Sequence, residues 1–179
     1  MCFPGGHDGL STNLPAGTGL LKVVIPPVFG NEAIPEISNE REIKMATAEK
    51  TAEFNVPVDK AFNLIADISR WPEWVPPLTS VSNLSGSGMG TTYNWEFKLG
   101  PLPAFSGTGE VIKLIPNRRF EVQTHGVPST WLFAFSDRGD QSVIKLTIEY
   151  DIPGGGIASG LVGRQIEEGL DLLRGLLET

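Results

Sequence analysis

The chain has 179 residues, 14 Lys+Arg against 21 Asp+Glu, a formal charge of −7, and 40% hydrophobic with 20% charged residues. That length suits one hydrophobic core, and the acidic balance argues against nucleic acid as a partner, because a phosphate backbone needs a basic face. One Cys permits no internal disulfide or cysteine-built zinc site. With no apolar run of membrane-spanning length and no signal-like start, a cytoplasmic protein without stable membrane insertion is expected.

Residues 1–45 read as an N-terminal extension, largely irregular or flexible. Gly, Pro, Ser, Thr and Asn dominate its start without a period. Leu20–Ile25 is a short strand-like run stopped by Pro26-Pro27. The extension reads either as residues upstream of a true start at Met45 or as a lid or added strand.

From residue 46 the signals sharpen. Ala52, Phe54 and Val56 share one face of a strand, and Pro57 opens an amphipathic helix carrying Val58, Ala61, Phe62, Ile65 and Ile68. Trp71–Pro77 allows one more helical turn and then an extended exit. Strict alternation follows: Tyr93, Trp95, Phe97 and Leu99 on one strand; Trp131, Phe133 and Phe135 on another; Ile144, Leu146, Ile148 and Tyr150 on a third. Weaker strands occupy Leu78–Leu84, Gly107–Ile115 and Arg119–Thr124, separated by turn-like stretches. After Pro153-Gly154-Gly155-Gly156, a loop that swings the chain into a helix, the period becomes helical. Val162, Ile166, Leu170, Leu173 and Leu177 form one stripe opposite Arg164, Glu167, Asp171, Arg174 and Glu178. Gly169, at the stripe's edge, marks a close backbone approach or space left for something else. The expected class is α+β: a curved antiparallel sheet of about seven strands wrapped around a long C-terminal helix, with two short helices after the first strand.

Three segments carry a resemblance. Val56-Pro57-Val58-Asp59-Lys60-Ala61-Phe62 leading to Asp67-Ile68-Ser69-Arg70-Trp71-Pro72-Glu73-Trp74, the Gly88-Met89-Gly90-Thr91 turn, and Ser129-Thr130-Trp131-Leu132-Phe133 before Val143–Tyr150 resemble the START-related helix-grip superfamily. Within it the chain is most similar to polyketide cyclase/dehydrase-like and carbon monoxide dehydrogenase G-subunit-like proteins, over about Thr47–Glu178. The resemblance implies a helix-grip domain over residues 46–179 with an apolar cavity between sheet and helix; a shared fold does not choose among carriers, cyclases and hydrolase-like relatives.

Catalytic candidates are few. His7 lies in the extension, leaving His125, at a strand end beside Gly126, as the one plausible imidazole, with Tyr93 as a second acid–base candidate. No His-x-x-x-His or carboxylate cluster points to a metal, and no cofactor is expected. Gly86–Gly90 precedes no helix and lacks a phosphate-loop ending, so it reads as a turn. The stronger constellation is aromatic: Trp74, Tyr93, Trp95, Phe97, Trp131, Phe133 and Phe135, faced by Ile166, Leu170 and Leu173. These residues either fill the concavity as ordinary core or wall a ligand-sized hollow. A dry void of about 300 Å³ would cost roughly 7 kcal/mol, as much as a domain's whole stability, so a hollow that size must be occupied, wetted or collapsed. Thr124 and Thr130 are the further polar handles. The expected function is binding or transport of a small hydrophobic molecule (a lipid, quinone or polyketide-like compound). The alternatives are a cyclase or dehydratase using Tyr93 and His125, and an accessory protein for a partner enzyme.

Overall fold

The computed structural model describes residues 45–179 except Leu99, Leu102 and 152–155, with backbone alone for 156–159. The expectations for residues 1–44, for Leu99 and for the Pro153–Gly155 loop lie outside the described residues.

Ten elements follow one another among the described residues. They are β1 (Ala46–Phe54), α1 (Val58–Ala66), a 3-10 helix (Ile68–Glu73), β2 (Leu78–Ser85), β3 (Thr92–Phe97), β4 (Phe105–Ile115), β5 (Arg119–His125), β6 (Ser129–Asp137), β7 (Ser142–Tyr150) and α2 (Gly156–Leu177). The two short helices expected after the first strand are α1 and the 3-10 helix. Asp67 closes the first and caps the second by accepting from Ser69 N at 3.2 Å. Pro72 sits inside the 3-10 helix, which ends where Trp74 N donates back to Trp71 O at 3.1 Å.

All seven strands form one antiparallel sheet in the order β1-β7-β6-β5-β4-β3-β2. Strands β2 to β7 form a hairpin meander, and β1 closes on β7 from residue Ala46 opposite Tyr150 to Phe54 opposite Ser142. Two-residue alternation puts Phe120, Val122 and Thr124 of β5, Trp131, Phe133 and Phe135 of β6, and Ile144, Leu146, Ile148 and Tyr150 of β7 on one buried face. Helix α2 covers that face with Ile166, Leu170, Leu173 and Leu177, all buried. On β1 the inner positions are Ala46, Ala48, Lys50, Ala52 and Phe54, and the three alanines let α2 pack close against the strand. Lys50, in the middle of that row, ends in an ion pair with Glu167 of α2.

The C-terminal half of α2 is tied down repeatedly. Lys60 Nζ donates to Leu177 O at 2.5 Å, Asn55 N donates to Glu178 Oε1 at 2.8 Å, and the Arg174 guanidinium lies 5.4 Å from the centre of the Phe54 ring. None of these ties involves the preceding turns, where Gly160 and Gly163 face open space.

Candidate functional site

The aromatic face is shared between core and cavity, and Trp71 marks the division. Its ring sits 5.7–6.4 Å, centre to centre, from Trp74, Tyr93, Phe120, Trp131 and Phe133, and its Nε1 donates to Ile65 O at 2.7 Å. Such a hub at 3% exposure plugs one end of the concavity, with edge-to-face contacts typical of stable aromatic clusters. Beyond it, toward the first turns of α2, the concavity stays open.

That hollow is walled on the sheet side by Trp95, Phe97 and Phe105 of β3 and β4, by Trp131 of β6, and by Leu146 and Ile148 of β7. Helix α2 contributes Val162, Gln165, Ile166, Gly169 and Leu170, and the segment after the 3-10 helix contributes Trp74, Val75 and Pro77. Polar groups are few: Thr124, Ser129, Gln165 and Tyr150. Among the described residues no charged side chain lines it. Phe105, Val127, Val162 and Gln165 are half-buried and form its partly open mouth.

Its volume is ≈ 90 Å³, much less than the void of about 300 Å³ whose cost would rival a domain's stability. Left dry, a void of the observed size costs about 2 kcal/mol, which a domain tolerates. A closed apolar cavity of about 150 Å³ holds one benzene, so a guest larger than a single ring must extend into the mouth.

Two glycines of β4 make room for the aromatic wall. Gly107 faces Trp95 and Gly109 faces Tyr93 across the β3–β4 ladder. A Cβ at Gly109 would lie 2.3 Å from Tyr93 Cζ, and one at Gly107 would lie 2.7 Å from Trp95 Cζ2. The rings thus lie over the bare backbone, and Trp95 Nε1 is fixed by donating to Thr108 O at 2.9 Å. On the opposite wall, a Cβ at Gly169 would come within 2.8 Å of Trp74 O, so the glycine there brings α2 against the Trp74 backbone.

Of the residues singled out from sequence, Trp74, Trp95, Phe97, Trp131, Ile166 and Leu170 come together around the hollow. Tyr93, Phe133, Phe135 and Leu173 stand outside its lining, in the packed core. Tyr93 packs on Trp71, and burial pushes its hydroxyl above the ordinary value of 10.0. Phe135 stacks edge-on against Phe62 at 5.2 Å. His125 is exposed: on β5 the parity that turns Phe120, Val122 and Thr124 inward turns His125 outward. Thr130 is likewise out of phase with Trp131 and does not line the hollow.

Ser129 is a polar wall residue that the sequence pattern did not single out, although it shares the parity of Trp131. It accepts from Trp131 Nε1 at 3.1 Å and lies 2.7 Å from Thr124 Oγ1. Phe105 and Val127 carry no alternation signal, and Gln165 lies beside the apolar stripe of α2 rather than in it.

A seven-stranded antiparallel sheet curled over a long C-terminal helix, with an apolar hollow between them, is a START-like helix-grip domain. Residues 45–178 match the family model described as polyketide cyclase / dehydrase and lipid transport, and the chain belongs to that family. Among solved structures, the chain is similar to the Zhui aromatase/cyclase from Streptomyces sp. R1128, with a TM-score of 0.61 and 15% identity over 75% of this chain and 94% of that one. It is also similar to a START superfamily protein from Mycobacterium smegmatis, with a TM-score of 0.64 and 14% identity over 74% of this chain and 97% of that one. Identity this low carries the fold alone. No curated protein matches the chain. No helix among the described residues is long and apolar enough to cross a membrane.

Proposed function

We propose that this protein binds a small hydrophobic molecule in the hollow between the sheet and α2. The observation that carries this reading is the composition of the wall: Trp74, Trp95, Trp131, Phe97, Ile166 and Leu170 surround space, while Trp71, Tyr93, Phe120 and Phe133 on the same concave side are packed against one another and do not line it. The same chain thus fills one half of its concavity and leaves the other open. Burial of apolar surface supplies the affinity at roughly 25 cal/mol per Å², and the costs of association leave weak-to-moderate binding. Membership of a family described by polyketide cyclisation, dehydration and lipid transport supports a ligand of the same apolar character.

The placement of Tyr93 and His125 supports binding over catalysis by that pair. Neither lines the hollow, and a general acid or base must reach its substrate within hydrogen-bonding distance or through one water.

The test is native mass spectrometry of freshly purified protein, followed by melting curves with a panel of neutral one- and two-ring aromatic compounds. A co-purifying small molecule, or a melting point raised by panel members and no longer raised in Val162→Phe, which fills the mouth, is the expected result. An empty protein whose melting no compound alters ends the proposal.

A further inference from the structure

The hollow's hydroxyl groups form a hydrogen-bonded chain with a direction. Trp131 Nε1 donates to Ser129 Oγ at 3.1 Å, Ser129 Oγ lies 2.7 Å from Thr124 Oγ1, and Thr124 Oγ1 donates to Val127 O at 2.8 Å. All four residues line the cavity. The two ends constrain where the protons lie. An indole nitrogen only donates, a carbonyl oxygen only accepts, and each hydroxyl owns a single proton. The nearest carbonyl acceptor of the Thr124 hydroxyl is Val127 O (Ser129 O is farther, at 3.4 Å). Either hydroxyl could donate across the contact between them; with Ser129 as donor the Thr124 proton is left for Val127 O and every donor and acceptor of the four has its partner, whereas the reverse leaves Val127 O without a donor and the Ser129 proton without an acceptor.

The chain of hydrogen bonds from Trp131 through Ser129 and Thr124 to Val127 consumes every proton in it. What it leaves is acceptor capacity, because each hydroxyl oxygen has two lone pairs and the chain uses one of each. Gln165 and Tyr150, also in the wall, can both donate and accept and so impose no sign. Trp95 Nε1 is already engaged with Thr108 O, and Trp74 Nε1, which has no partner, is buried with under 1 Å² of accessible surface and so does not face the hollow. No charged side chain among the described lining residues would balance an ionised ligand group, and burying such a group unpaired is prohibitive.

We infer that Thr124 and Ser129 form an acceptor subsite that selects a neutral apolar ligand carrying a hydroxyl or N–H donor, such as a phenol, over its ether, hydrocarbon or carboxylate counterparts. The inference rests on the binding reading above and adds to it the polarity of the ligand's functional group.

The experiment uses the full chain and four probes of one frame: 2-naphthol, 2-methoxynaphthalene, naphthalene and 2-naphthoate. Binding is followed by quenching of tryptophan fluorescence, since Trp74, Trp95 and Trp131 stand in the wall. A net hydrogen bond predicts that 2-naphthol binds about three- to tenfold more tightly than the ether or the hydrocarbon, with 2-naphthoate weakest. Ser129→Ala removes an acceptor and also frees the Trp131 N–H, so it reverses the order and favours the ether over the phenol. Thr124→Val, which nearly preserves shape, abolishes the phenol's advantage without reversing it, and keeps the question answerable should Ser129→Ala fail to fold. Equal affinities of phenol, ether and hydrocarbon in the unaltered protein overturn the subsite and leave the binding reading standing. Tightest binding by the carboxylate overturns it equally, as does a phenol preference that both variants retain. If none of the four probes binds, the binding reading falls and the subsite with it.

Discussion

Trp95 occupies the space that a side chain at Gly107 would need. The two face each other across β3 and β4, and a Cβ at Gly107 would meet Trp95 Cζ2 at 2.7 Å and the His125 backbone oxygen at 1.9 Å. The second contact is with backbone and has no flexible side chain to yield. Gly107→Ala is therefore expected to destabilise the fold by about 3 kcal/mol, at the upper end of overpacking costs, and to displace a cavity wall. Urea denaturation measures the first effect, and loss of aromatic-ligand binding at concentrations where the variant is still folded measures the second.

Helix α2 offers a comparison within one element. At Gly163 an added Cβ meets nothing within 4 Å, whereas at Gly169 it meets Trp74 O at 2.8 Å. Gly163→Ala gains helix propensity and should stabilise by about 0.5–1 kcal/mol. Gly169→Ala has the same propensity gain opposed by a backbone collision, and is expected to lose about 1 kcal/mol net. Thermal melts of the two variants should move in opposite directions.

Ser142, fully buried at the start of β7, has a hydroxyl without a hydrogen-bond partner. Removing both the hydroxyl and its desolvation penalty should leave stability unchanged or raise it by up to about 1 kcal/mol. Ser142→Ala melting below the parent would show that the hydroxyl has a partner in solution.

Acid should loosen the contact between α2 and β1. The hydrogen bond from Lys50, and after it the attraction of that charge, hold the Glu167 carboxyl below its ordinary value of 4.5. A carboxyl lowered in the folded state contributes stability that is complete above that ordinary value and is lost as pH falls through the lower, folded one. Because both side chains are about half exposed, the effect is small and screened by salt. The difference in melting temperature between the parent and Glu167→Gln should be largest near neutrality and shrink below about pH 4. A difference independent of pH would remove Glu167 from the helix's attachment.

The elements and their faces were legible in the amino-acid order because a strand's period of two and a helix's period near 3.6 depend only on neighbours along the chain. Tyr93, Trp95 and Phe97, or Leu170, Leu173 and Leu177, declare a buried side whatever they pack against. Even the outward turn of His125 and the inward turn of Ser129 are matters of strand parity, so both were open to inference from the alternation of β5 and β6.

What the sequence could not say was which buried rings would touch. Trp95 and Phe133 carry the same alternation signal, but one borders open space and the other is sealed against Trp71. That difference arises because Trp71, arriving from the 3-10 helix, fills one end of the curved sheet, while Gly169 brings α2 against the backbone of the neighbouring Trp74. Burial periodicity is local, whereas a cavity is what remains when several distant segments have taken their places. The order of residues therefore determined the sheet, the helix and their apolar faces, and tertiary packing decided where the space was left.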